Sequence, residues 1–429
     1  MLALDLRPLR TSRDFRLLFA AAGVSGFGSF ITYVTIPFQV ATLTGSPLAV
    51  GLLGLCELLP LLFMAFVGGA LADYLDRRLL VLGGEVAFTV LCGVLLLNAL
   101  ADEPQLWVLY VVAALTAAVD GVQRPAMEGL TPRLVTPEQI PAASALASLR
   151  MQIASLGGPA VAGVLIASLG LAWVYAIDLA TFAFSLICLA AMRAVPPPPA
   201  AERPSLRSVV TGLRYARSRP ELLGTYLVDI NAMFFGMPQA LYPFIAQKLG
   251  GPAVLGLLYA APSAGSLLAT VTSGWTGRIH RHGLAVTLAA AGWGAAIVAF
   301  GFAGSLWLAL LCLLLAGAAD MISGLFRMTI WNQTIPDRLR GRLAGIEMIS
   351  YSTGPLLGHV RSGLAARWLG VGGSVISGGL LCIVGTVALA AALPAFLRYD
   401  GRDGLARKKA EDEAWAAAPG QPLQDPAPS

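Results

Sequence analysis

Apolar residues run through this chain in blocks of about 20, each long enough to cross a bilayer, with short polar turns between them. Twelve such blocks are predicted as membrane helices: 16–43, 49–72, 79–100, 105–128, 141–168, 171–194, 222–247, 252–277, 284–303, 306–331, 343–366 and 372–397. Several turns are tight, such as Thr44 to Leu48 and Leu169 to Gly170. The expected fold is an all-α membrane protein with twelve transmembrane helices in two pseudo-symmetric six-helix bundles.

The polar breaks divide the chain. The longest internal break starts at Pro196-Pro197-Pro198-Pro199, which cannot continue a helix. It closes on Leu206, Val209, Val210, Leu213 and Tyr215 set against Arg207, Arg214, Arg217 and Arg219, a pattern for an amphipathic surface helix or a solvated linker. The expected organisation is a bundle over 1–194, a cytoplasmic linker over 195–221, a second bundle over 222–397 and a disordered tail over 398–429. Internal repeats agree with two halves. Thr136-Pro137-Glu138 after the fourth span recurs as Ile335-Pro336-Asp337 after the tenth, and Gly158-Pro159 recurs as Gly354-Pro355.

Composition narrows the class. Hydrophobic residues make up 57% and charged residues 12%, with mean hydropathy +0.73. Soluble chains carry about 25% charged residues, so a polytopic membrane protein is implied. The net charge of +5 sits in loops, without the basic, aromatic-laced stripe of a nucleic-acid binder. Cys56, Cys92, Cys188, Cys312 and Cys382 lie in apolar runs without metal-ligand spacing, so neither a metal site nor a disulfide is expected. No cleavable leader is read at the start. The basic residues place both termini in the cytoplasm, leaving Lys248 and Arg367 outside. A bacterial cytoplasmic (inner) membrane protein is the expectation.

One turn carries a motif. Gly69, Leu71, Ala72, Asp73, Arg77 and Arg78 follow the form Gly-x-Leu-Ala-Asp-Arg-x-Gly-Arg-Arg, with Tyr74 and Asp76 departing from it. The stretch resembles the cytoplasmic loop motif of the major facilitator superfamily. Asp14-Phe15-Arg16, Gly212-Leu213-Arg214-Tyr215, Gly256-Leu257-Leu258-Tyr259 and Gly341-Arg342-Leu343-Ala344-Gly345 extend the resemblance toward the enterobactin-exporter-like branch of drug and siderophore exporters. The resemblance implies a cytoplasmic gate, in which Asp73 faces the positive start of the eleventh helix near Leu343. Arg77 and Arg78 are then expected at lipid phosphates or the facing half. Ordinary loop chemistry remains the alternative for all three. Gly158, Pro159 and Gly163 resemble the end of the antiporter motif on the fifth span. Those residues, with Gly354 and Pro355, are read as helix-bend or packing positions.

Charges inside apolar runs need partners or roles. Glu57 lies about 12 Å into the second span at 1.5 Å per residue, among leucines. Burial there penalises the charged form of a carboxyl, as proton coupling requires, while a packing hydrogen bond is the plain alternative. Asp120 and Arg124 share a helix face at i,i+4, as a switchable or permanent pair. Arg150, Asp229 and Asp320 complete the proton-coupling candidates; Glu85, Asp178 and Arg361 receive no partner from sequence. Tyr33, Gln39, Asn231 and Phe235 are candidates for a substrate cavity, with Phe234, Met237, Gln239, Tyr242 and Trp331 as further possibilities.

The leading reading is a secondary exporter of a small amphipathic molecule, siderophore or drug-like, working by proton-coupled alternating access. The alternative is a lysophospholipid or lipid flippase, or an uncoupled facilitator, on the same fold. No catalytic set is seen: the histidines are His280, His282 and His359 alone, and a P-loop is missing. The expectation is no enzyme, no cofactor beyond a proton gradient, and a monomer in lipid whose partner is its cargo.

Overall fold

The computed structural model describes residues 5–195, 214–336 and 340–417, without the side chains of 66, 67, 69–74, 340–342, 344–349, 411, 412 and 414–417. The amphipathic linker expected near 206–213 lies outside the described residues. Every element among the described residues is helical. In chain order these are α1 (Arg7–Thr11), α2 (Arg13–Thr44), α3 (Pro47–Tyr74), α4 (Arg77–Leu100), α5 (Leu106–Leu130), α6 (Ile140–Leu169) and α7 (Leu171–Ala190). Then come α8 (Pro220–Gly236), α9 (Tyr242–Leu249), α10 (Pro252–Val271), α11 (His282–Gly301), α12 (Leu306–Thr334), α13 (Arg340–Ala392), α14 (Pro394–Leu397) and α15 (Gly401–Ala417).

Local chemistry sets the helix ends. The Ser12 side chain accepts from the Phe15 amide and caps α2. Gly45, at φ 59°, ends α2 in the left-handed region, and its N–H reaches the Ala41 carbonyl. Asp76, the departure from the loop motif, accepts from the Arg78 amide as the N-cap of α4. That capping is a physical use for an acid where the family pattern has glycine.

Ten helices among the described residues are long and apolar enough to cross a membrane. The chain is a multi-pass membrane protein. Large side chains lie bare on its outside, such as Phe63 at 69% and Trp307 at 80% exposure, as lipid contact allows. α13 alone would run about 80 Å if straight, more than twice the thickness of the hydrocarbon core. Gly370, at φ 73° and ψ 169°, breaks it into two crossings. Gly170, at φ 83° and ψ 171°, makes the same turn between α6 and α7. This backbone region is essentially closed to residues with a Cβ.

Two compact units are present: Met1–Pro204 with Gln239–Ser263, and Ser205–Pro238 with Ala264–Ser429. In the first, α2 packs on α6 and α7, α3 on α5, and α4 on α5 and α7. In the second, α8 packs on α13, and α11 packs on α12 and α13.

The structure differs from expectation in four places. The eighth span, expected to 277, ends at Val271 and is followed by a 3-10 turn over Ser273–Arg278. The seventh span is broken: α8 ends at Gly236, and α9 starts at Tyr242 after a 3-10 turn over Gln239–Leu241. Pro238 has no N–H to continue the ladder. The last span stops at Ala392, one residue before Leu393 and Pro394, rather than at 397. Within the tail read as disordered, 401–417 forms α15. The Gly401 amide donates to the His280 carbonyl at 3.0 Å, and Lys408 Nζ donates to the Asn332 carbonyl at 3.3 Å. Arg407 pairs with Glu221 at 3.5 Å, so a stretch rich in helix formers gains tertiary contacts.

Candidate functional site

In the first unit, a tyrosine cluster gathers residues from four segments. The Tyr33 hydroxyl on α2 donates to Gln239 Oε1 at 2.8 Å. Its ring meets Tyr259 of α10 edge-on at 5.7 Å, and Tyr259 meets Tyr242 of α9 edge-on at 5.0 Å. The Tyr259 hydroxyl donates to the Gln239 backbone carbonyl at 3.3 Å. Edge-to-face rings gain quadrupole attraction beyond their buried area. Glu57 on α3 lies near enough to Tyr33, Tyr259 and Asp120 for their fields to interact. Asp120 is exposed and Glu57 half-buried, so both acids are reachable. Tyr33, Glu57 and Asp120, which sequence could only name separately, are brought into one patch.

Glycine makes the neighbouring packing possible. A Cβ on Gly163 of α6 would stand 2.7 Å from the Gly256 amide nitrogen of α10. Two backbones therefore touch there, as small residues permit in membrane bundles. Gly158 abuts Phe27 and Phe30 of α2, next to Pro159 inside α6. In the second unit, Gly354 abuts Met233 of α8, and Pro355 lies inside α13.

Other candidates sit elsewhere. Gln39 is 1% exposed and accepts from the Tyr175 hydroxyl at 2.7 Å, inside the bundle rather than on a cavity wall. Arg124 places Nε 3.4 Å from Glu128, one turn on, and is also near enough to Asp120, one turn back, for the two charges to interact. Arg124 and Glu128 are largely exposed, so their pair adds little stability. The Arg150 guanidinium lies 6.0 Å from the Phe19 ring centroid, and its stem runs along Gly23 of α2. Asn231 donates to the Cys382 carbonyl at 3.0 Å and to Thr386 at 3.2 Å, tying α8 to α13. Phe235 stacks edge-on with Phe234 at 4.8 Å.

The charges left without partners by sequence acquire them. Glu85 accepts from Ser25 at 3.0 Å. Asp178 accepts from Thr32, and from Thr181 at 3.0 Å. Arg361 donates to the Phe235 carbonyl at 2.6 Å. These are bonds within a bundle, which satisfy buried polar groups.

The loop motif also has an internal use. Arg77 Nη1 donates to the Gly129 carbonyl at 2.7 Å, at the end of α5. Arg78 donates from Nε to the Leu189 carbonyl at 3.0 Å and from Nη2 to the Ala190 carbonyl at 2.7 Å, capping α7. Cations at helix C-termini meet the negative end of the dipole. The side chain of Asp73 and the surroundings of Gly69 lie outside the described residues.

The second unit holds an ion network. Arg327 on α12 contacts Asp229 on α8 through Nη1, and its Nη2 lies 3.8 Å from Asp320 Oδ1. Ser350 on α13 donates to Asp229 Oδ2 at 3.4 Å. Arg327 was passed over as a site residue. Depth would have found it: Asp229 lies nine residues into α8 and Arg327 seven residues before the end of α12, so opposite charges share a level.

Residues 4–412 match the transmembrane secretion effector family. The enterobactin exporter EntS of Citrobacter koseri is 30% identical over 392 residues, covering 90% of this chain and 93% of that protein. A POT family transporter solved in complex with 5-aminolevulinic acid superposes with TM-score 0.71 at 13% identity, covering 90% of this chain and 97% of that one. The nucleoside transporter NupG superposes with TM-score 0.70 at 12% identity, covering 90% and 100%. The two structures share the fold of this chain.

Proposed function

Because the chain belongs to the transmembrane secretion effector family of the major facilitator superfamily, we propose that it exports a small amphipathic molecule, siderophore or drug-like, by proton-coupled alternating access. It is a membrane transporter of small molecules and not an enzyme. The observation that carries the reading is the patch of Tyr33, Tyr259, Glu57 and Asp120. Aromatic edges suit a ring-bearing cargo. Acids reachable inside a membrane bundle suit proton exchange, since ionisable groups at that depth are costly without a role. We take the moving halves to be 1–194 and 222–397, joined by 195–221, with 239–263 of the second packed into the compact unit of the first. The protein acts as a monomer in a bacterial inner membrane with both termini in the cytoplasm.

The test is reconstitution in liposomes with a lumenal pH dye. Catecholate siderophores, lipophilic drugs and lysolipids are added in turn, with Glu57→Gln beside the native chain. Cargo-dependent proton flux supports the reading, and cargo movement without proton flux rejects it.

One feature favours the lipid-moving alternative. An apolar cleft of about 410 Å³ on α3 and α5 is lined by Leu55, Cys56, Leu59, Pro60, Tyr110, Val111 and Ala114, and would take an acyl chain. Lysolipid transfer between leaflets without proton flux would establish that reading instead.

A further inference from the structure

The network in the second unit has an uneven count of charges. Arg327 supplies one positive charge to two carboxylates, Asp229 and Asp320. The two acids are not equivalent. The Asp229 side chain is 5% exposed, is in direct contact with the guanidinium, and has its other oxygen facing Ser350 at 3.4 Å. The Asp320 side chain is 39% exposed and stands back at 3.8 Å. Arg327 is 11% exposed, and its Nε has no hydrogen-bond partner among the described residues, so its fork is not saturated.

We propose that, within the second unit, Asp320 is the acid that gains and loses a proton, with Arg327 a guanidinium shared between it and Asp229. In the ionised state the group carries one surplus negative charge at membrane depth, which is costly. One proton from water, bound to a carboxylate oxygen of Asp320, brings the sum to zero. Arg327 then belongs to Asp229 alone. Release of that proton to water restores the shared state. No other bond is made or broken. Asp229 is the less accessible of the two and keeps the direct contact with the guanidinium.

The charged groups around Asp320 are few. Arg327 is on its own helix and Asp229 faces it from α8. α10, which meets α12 through Ser266 and the Gly317 carbonyl, has no charged residue, its one titratable group being Tyr259. α11 has only His282, held at the helix start by Gln333 and the Ile279 carbonyl. Arg407 and Lys408 of α15 engage Glu221 and the Asn332 carbonyl at that same end. On α13, Arg361 is bound to the Phe235 carbonyl, and the Glu347 side chain lies outside the described residues.

The use of this proton rests on the proton-coupled reading above, but its site is measurable without cargo. Infrared difference spectra of the purified protein, taken between mildly alkaline and mildly acidic buffer, report protonated carboxyls. One component of the band in the native chain is lost in Asp320→Asn and kept in Glu57→Gln and Asp120→Asn. Arg327→Lys keeps the band but shifts the pH at which it appears, because a point charge replaces the fork. An unchanged band in Asp320→Asn, with loss in Glu57→Gln, overturns the proposal. Recovery of the band in Asp320→Glu excludes misfolding as the cause of a loss.

Liposomes then separate this idea from the functional reading, with ethidium and enterobactin as probes. Asp320→Asn is expected to retain probe exchange at equal pH while losing transport driven by a pH gradient. Full driven transport in Asp320→Asn overturns the proposal. A native chain that shows the infrared band but no driven movement of any cargo refutes the exporter reading and leaves the proton site standing.

Discussion

The Tyr33 hydroxyl donates to the side-chain carbonyl of Gln239, 206 residues further along the chain, at 2.8 Å. Between them the chain completes six spans and the linker, so this bond fixes where the turn after α8 returns to α2. Tyr33→Phe removes only the bond, at about 1 kcal/mol. Tyr259→Ala removes a buried ring that touches both Tyr33 and Tyr242, at about 3–5 kcal/mol. Thermal unfolding in detergent orders the two, and equal losses would refute the hierarchy.

Contact between α6 and α10 depends on the missing side chain at Gly163. Gly163→Ala is expected to cost about 1–3 kcal/mol, because its neighbour is backbone and cannot rotate away. Gly93→Ala, with open space around it, is expected to be neutral or to stabilise by up to about 1 kcal/mol. A tolerant Gly163 would mean that the two helices separate freely.

Gly370 turns one crossing into the next at φ 73°. Gly370→Ala is expected to lose about 1–3 kcal/mol, whereas Gly372→Ala, without that conformation, loses little. The melting temperatures of the pair decide it.

Arg78 holds the last carbonyls of α7. Arg78→Ala is expected to speed hydrogen exchange in the last turn of α7, with a loss of about 1 kcal/mol. Arg78→Lys restores the charge without the fork, so protection is recovered only in part. Unaltered exchange in Arg78→Ala would remove this capping role.

The tail helix should come loose when its anchor is reversed. Arg407→Glu sets like charges at Glu221, and trypsin is expected to cut within 402–409 sooner than in the native chain. Equal cutting rates would show that Arg407 does not hold α15.

Most of the fold was legible because lipid demands long apolar helices, and such runs are visible in any window of sequence. What sequence withheld is rotation about each helix axis. Gln39 and Tyr33 lie six residues apart on α2, yet one is sealed inside the bundle and the other is 42% exposed. Arg124 has acids four residues away on either side, Asp120 and Glu128, and the structure sets its charge near both, where the sequence reading had named Asp120 alone. The tail helix escaped because its stability comes from contacts with Glu221, Asn332 and His280, all distant in sequence. The ion network was half visible: its acids stood out, while nothing beside Arg327 in the sequence tied it to them.

Gly170 and Gly370 lie 200 residues apart and share one rare backbone conformation, at ψ 171° and 169°. Asp120 and Asp320 keep the same interval. The chain therefore carries the marks of an ancient doubling. Its hairpin has been kept in both copies, while the surroundings of the paired acid have drifted: Arg124 follows the first by one turn, and Gly324 takes the matching place after the second. An ancestor built from two identical halves would have owned one acid twice. The present protein has two acids that are free to specialise.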